Sequence, residues 1–239
     1  MKQKLPLHAA HLRLLALGLM LLDHLWAAIV PGNDWMTMLG RLAFPIFAFQ
    51  IAEGYYHTSN YKRYVRRLLI FALVSEIPFN LLLASSVMYP FHQNVMFTLL
   101  LGLVGVRAMD RAKQENTSSR WLKSLCVVLL VSLGGAIAFT DYGACGVLTV
   151  VAFGVLRDVP YAKAAQAVAM ILLHGVFMEG RVFLLGSMEI PMQSFAVLAL
   201  PLIWLYNGEK GRGGRLLQIG SYVFYPAHMV ILHLIRTVF

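Results

Sequence analysis

Residues 17–30, LGLMLLDHLWAAIV, set Asp23 and His24 side by side inside a run that is otherwise apolar. Such a run is a buried core helix or a membrane span, and the composition of the whole chain decides between them. Of its 239 residues 59% are hydrophobic and 13% charged, where an ordinary soluble domain is about 25% charged. Mean hydropathy is positive. Runs of near-spanning length recur so often that little polar chain is left for a separate folded module. The expectation is one all-α integral-membrane domain covering residues 1–239.

A helix needs about 20 residues to cross the hydrocarbon. On that ruler about nine segments qualify: 9–30, 35–55, 68–88, 94–109, 124–139, 143–156, 164–179, 192–206 and 217–235. The basic start MKQKLPLHAAHLR resembles the head of a signal peptide, but no small-x-small cleavage site precedes a soluble body, so it leads into a retained first span. MKQK, HTSNYKRYVRR, RAMDRAKQENTSSRWLK, RDVPYAK and NGEKGRGGR are all basic, whereas PGND, MYPFHQ, TDYG and 178–191 hold a single arginine, Arg181. By the positive-inside rule the N-terminus is cytoplasmic and the C-terminus at Phe239 lies outside. The net charge of +9 therefore reads as topology and lipid anchoring, not as a nucleic-acid face. Cys126 and Cys145 fall near opposite ends of consecutive spans, which argues against a disulfide. The one long polar connection, 108–122, reads as a solvated loop.

Ionisable groups at mid-bilayer cost about 2.5–3.5 kcal/mol on insertion scales, so each calls for a reason. Asp23, His24, Arg41, Glu76, His174 and His228 qualify. With a turn at PGND, Asp23 lies about 10 Å below one end of its span and Arg41 about 9 Å below the matching end of the next. They are level, which predicts an ion pair that either staples two helices or serves chemistry. Adjacent helical residues face different ways, so Asp23 does not automatically orient His24. His24, able to act as base or nucleophile near neutral pH, is the candidate for proton transfer. The histidines lack short ligand spacing, and no metal is expected. At the basic side Glu53, Arg66 and Arg67 suit lipid headgroups, mutual pairing or phosphates. The Gly-rich GEKGRGGR is a weak phosphate signal, since it lacks the strand and helix of a P-loop.

MLLDH, GRLAFPIFAFQIAEGYYHTSNYKRYVRRLLIFALVSEIPFNL, NVMFTLLLGL and SYVFYPAHMVIL together resemble the TraX family, named for a conjugative-plasmid protein that acetylates the N-terminus of pilin. More distantly the chain is similar to the acyltransferase 3 group of membrane enzymes. Arg13 precedes His24 by eleven positions as in their first span, AEG at 52–54 replaces their LSG, and Arg66 with Arg67 matches their double arginine. Tyr222, Tyr225 and His228 match their closing motif, from which Pro226 departs.

The resemblance implies a bacterial inner-membrane acetyltransferase that moves an acetyl group from cytosolic acetyl-CoA to an extracytoplasmic peptide amine or glycan. It places His24 at the centre with Asp23 and Arg41 in support, and the donor against Arg13, Glu53, Lys62, Arg66, Arg67, Tyr222 and His228. His24 acting as general base and His24 carrying the acetyl group both remain open. So do two other classes: a small transporter, against which the lack of internal repeats speaks, and a non-catalytic scaffold of a conjugation or secretion apparatus.

Overall fold

A computed structural model describes residues 6–178 and 180–238. The MKQK start, Glu179 at the end of the seventh expected span and Phe239 lie outside the described residues. The helices are α1 (Ala9–Ala28), α2 (Asp34–Gly40), α3 (Ala43–Tyr56), α4 (Tyr61–Ala84), α5 (Val95–Glu115), α6 (Ser118–Ile137), α7 (Gly143–Val155), α8 (Ala162–Met170), α9 (Ala199–Trp204) and α10 (Gly214–Val238). A π-helical turn, Ile171–Val176, continues α8, and a 3₁₀ stretch, Met192–Leu198, leads into α9. Four stretches are long and apolar enough to cross a membrane: Ala9–Ala28, Asp34–Tyr56, Tyr61–Ala84 and Ser118–Ile137. Each of the other five expected spans coincides with a helical segment, but those segments are not among these four.

Three local features differ from expectation. The second span is two helices in line, α2 and α3. Pro45 has no N–H for the Arg41 carbonyl, and the Leu42 amide bonds Leu39 instead, an i to i−3 contact of 3.1 Å that tightens the chain at the Arg41 step. The polar connection at 108–122 is mostly helical rather than a loop. Asn116 ends α5 in the left-handed conformation at φ 44°, and Thr117 caps α6 by accepting from the Arg120 amide at 3.3 Å. Residues expected in an irregular outer loop form an antiparallel hairpin, β1 (Val182–Leu185) with β2 (Met188–Pro191), closed by the two residues Gly186 and Ser187 with Gly186 at φ 64°. A two-residue turn opening on such a glycine is a favoured hairpin connection.

Small residues let helices approach closely, as is usual between helices packed in lipid. A Cβ on Gly102 of α5 would lie 2.5 Å from the Val150 Cβ of α7. The core joins α1, α3, α4, α5, α7 and α10 through side chains such as Leu12, Ile46, Leu68, Leu103, Val150 and Met229, while one face of α6 (Leu125, Leu129, Leu133) is exposed. Helix ends are closed by polar side chains. Asn94 caps α5 through the Met96 amide at 3.0 Å, and its Nδ2 donates to Glu76 at 2.5 Å. Arg236 donates to the Leu82 and Leu81 carbonyls and to Ser85 Oγ at the end of α4. Both cysteines are free.

Candidate functional site

Asp23 and His24 project from α1 in different directions. Asp23 faces α2, where Gly40 permits the contact: a Cβ there would lie 2.5 Å from the Asp23 Cβ and 2.7 Å from Oδ1. Asp23 Oδ1 accepts from Thr37 Oγ1 at 2.6 Å and from Arg41 Nη2 at 3.1 Å. The Thr37 hydroxyl in turn accepts from Arg41 Nη2 at 2.9 Å. Arg41 Nη1 donates to Gln193 Oε1 at 3.4 Å, and Gln193 Nε2 donates to His174 Nδ1 at 3.2 Å. His174 Nε2–H then donates to Thr149 Oγ1 at 2.9 Å, because that hydroxyl spends its own proton on the Cys145 carbonyl at 2.8 Å. The direction of every bond in this chain is fixed by its ends. His174 is wholly buried with both nitrogens satisfied, which makes it a packing group of the network.

His24 faces α10. Its Nδ1 lies 2.7 Å from His228 Nε2, with ring planes 8° apart and centroids 4.9 Å apart. So short an N···N contact between nearly parallel rings is edge-to-edge hydrogen bonding rather than face-to-face stacking. His228 Nδ1 lies 2.8 Å from the Phe224 carbonyl, which can only accept, so that nitrogen carries the proton. His228 Nε2 is then the acceptor and His24 Nδ1 the donor. Neutral His24 is held in the tautomer whose Nε2 lone pair is free, and no hydrogen-bond partner for that nitrogen occurs among the described residues. His228 thus fixes the tautomer and the orientation of His24.

On the side where α1 and α10 begin, a cavity of about 560 Å³ opens between α1, α3, α4 and α10. Arg13, Arg67, Lys210 and Arg212 line it, along with Glu53 and Tyr222, and its deeper wall includes Leu17, Met20, Met96, Leu99 and Tyr225. The Arg67 guanidinium lies 5.1 Å from the ring centres of both Tyr64 and Tyr222, and its Nε is buried without a hydrogen-bond partner. Glu53 is held by His57 at 2.9 Å and Arg157 at 3.4 Å. Lys62 and Arg66 lie on the exposed face of α4, outside the lining, because neighbours of an inward residue on a helix turn away from it. His228 is likewise outside the lining and pairs with His24 instead. Met20 and Tyr225, both in the lining, stand one turn before His24 and His228 on their helices, and neither histidine is in the lining itself.

Sequence reasoning missed Thr37, Gln193 and Tyr142. Tyr142 holds the left-handed conformation at φ 65° with its ring stacked 3.9 Å from that of Phe44, a strain of the kind that gathers at functional sites. No group of three or more metal-binding side chains occurs among the described residues.

Fold and site together define an α-helical membrane protein with one imidazole held by a second, close to a cavity lined by basic residues. The sequence model described as "TraX protein" matches residues 8–236, and the chain belongs to the TraX family. It is 29% identical over 250 residues to the "Probable fimbrial assembly protein FimC, serogroup H1" of Dichelobacter nodosus, with 97% of each chain covered. No solved structure matches.

Proposed function

We propose that the protein is an inner-membrane acetyltransferase of nine membrane segments with a cytoplasmic N-terminus, which moves acetyl groups from cytosolic acetyl-CoA to an extracytoplasmic amine or hydroxyl. The observation that carries this reading is the free Nε2 of His24, set by the His228–Phe224 relay and one helical turn beyond the lining of a cavity that holds four cations. The donor's chemistry fits the residues present. The cations Arg67 and Arg13 in the lining suit phosphate, and the apolar depth suits an uncharged thioester arm. From Arg13 to His24 is about 16 Å along α1, eleven residues at about 1.5 Å each. Met20, an unbranched and adaptable side chain between the lining and His24 on α1, can change rotamer to admit the thioester.

His24 Nε2 takes the proton from the acceptor nitrogen or oxygen as that atom attacks the thioester carbonyl. It returns the proton to the sulfur as the carbon–sulfur bond breaks. His228 supports the imidazolium formed between these steps. Asp23 and Arg41, each bonded to the other and to Thr37, act as positioning residues that fix α1 against α2. The fimbrial name of the Dichelobacter relative favours a pilin-type peptide amine as acceptor.

The test is labelled acetyl-CoA given to protein in lipid discs, with panels of peptides and glycans. Label moves to an acceptor, or is slowly hydrolysed, and His24→Ala abolishes both. Failure of the wild type to bind or consume acetyl-CoA overturns the reading.

A further inference from the structure

The segment 205–213, LYNGEKGRG, which joins α9 to α10, is sewn onto the start of α1. The first helical amides of α1 have no partner within the helix. Here Ala9 N–H donates to the Glu209 carbonyl at 2.9 Å and Ala10 N–H to the Lys210 carbonyl at 3.1 Å. Leu7 and Asn207 extend the seam, with Leu7 N–H on the Leu205 carbonyl at 3.1 Å and Asn207 N–H on the Leu7 carbonyl at 2.9 Å. Gly211 lies against His8 at φ 74°, and a Cβ there would fall 2.7 Å from the His8 Cβ. Only glycine sits at that position without displacing the segment. The two cations that flank it, Lys210 and Arg212, thereby join Arg13 and Arg67 in the lining of the cavity. No carboxylate lies within ion-pair distance of any of these four among the described residues. Glu53, the carboxylate in the lining, is engaged by His57 and Arg157.

Four cations without an ion-pair partner among the described residues line one cavity, and a multiply charged anion is the chemistry that relieves their mutual repulsion. The lining behind them is apolar, so the anion belongs to a molecule with a charged head and a slim uncharged tail. The geometry points to the 205–213 segment as a phosphate clamp: Lys210 and Arg212 hold the phosphorylated nucleotide head of the acyl donor against Arg13 and Arg67. The inference rests on the acetyl-CoA reading and deepens it by assigning the head-group site. It gives GEKGRGGR a use in which the glycines shape the segment and its cations supply the contacts. Phosphate-bearing lipid headgroups share this chemistry, and the test separates the two sources.

Binding is measured by calorimetry on the full chain in discs of neutral phosphatidylcholine, with CoA, dephospho-CoA and pantetheine as probes. The expected result is CoA tightest, dephospho-CoA weaker and pantetheine weakest. In the double variant Lys210→Gln with Arg212→Gln, CoA binds about tenfold more weakly at low salt, as loss of paired charges at a rim does, with the gap closing as salt rises. Pantetheine binding is unchanged. Gly211→Val keeps both cations but displaces the segment, and it loses CoA affinity as well. Equal CoA binding by wild type and the double variant overturns the clamp. So does a double variant whose only defect is weaker association of anionic phosphatidylglycerol, added to the discs as the second arm, which assigns the cations to lipid. CoA binding that depends on Lys210 and Arg212 without any acetyl transfer sinks the enzyme reading and leaves the clamp standing. Transfer that ignores the double variant does the reverse.

Discussion

Replacing His228 by alanine tests the central geometry most directly. The substitution removes the acceptor for His24 Nδ1–H, the 2.7 Å contact on which the tautomer depends. His228 is 4% exposed, so water does not readily take its place. An unsatisfied buried donor costs about 1–3 kcal/mol, and His24 escapes that cost by moving its proton to Nε2, which removes the base. At 1.36 kcal/mol per factor of ten in rate, kcat for acetyl transfer falls by about fivefold to 150-fold. KM for acetyl-CoA stays level, because His228 does not line the donor cavity. His228→Gln, whose amide oxygen can accept from His24 Nδ1–H, recovers part of the rate. Initial-rate kinetics in lipid discs, with donor and acceptor varied separately, give the required split. A rise in KM for the donor with kcat unchanged refutes the relay and returns His228 to the cofactor-binding role that the resemblance implies.

Three further outcomes follow from the packing. Gly40→Val sets a branched side chain where even a Cβ lies 2.5 Å from Asp23; it separates α1 from α2 and destabilises the protein by about 1–3 kcal/mol, read as a lowered melting midpoint. Asn94→Ala removes the cap of α5 and a donor to Glu76, costing about 0.5–2 kcal/mol for the cap; unchanged exchange protection at the Met96 amide would count against that role. His92, in the connection between α4 and α5, is raised above its ordinary value by its hydrogen bond to Asp141. A raised histidine stabilises below the unfolded value of about 6.5 and loses that contribution as pH climbs through the folded one. The Gln93 and Asp141 amides, paired through the Phe139 and Gln93 carbonyls, therefore exchange faster above this window once intrinsic rates are corrected, and His92→Gln removes the pH dependence.

Hydropathy runs placed a helical segment at each expected span, because burying apolar length in helices is a local property of the chain, but they showed neither the break between α2 and α3 nor the helical character of 108–122. The level depths of Asp23 and Arg41 were likewise readable from a short turn and a fixed rise per residue, and their side chains meet at 3.1 Å. What stayed hidden was set by tertiary contact. His24 and His228 are 204 positions apart, and nothing local in SYVFYPAH distinguishes a partner for imidazole from a donor-site residue. Lys62 and Arg66 share a basic run with Arg67, but only helical phase, set by packing, tells which of them turns inward. Thr37 and Gln193 look like ordinary polar residues until Arg41 reaches them. The hairpin did leave a trace in VFLLGSMEI, where a Gly-Ser pair separates two short apolar runs.

The tie between Leu7 and Tyr206, like that between the two imidazoles, joins the beginning of the chain to its closing segments. A ribosome making this protein delivers His24 to the bilayer long before anything exists to set its proton. Prematurely terminated products, however well inserted, thus carry an imidazole whose proton nothing has yet assigned to one of its two nitrogens.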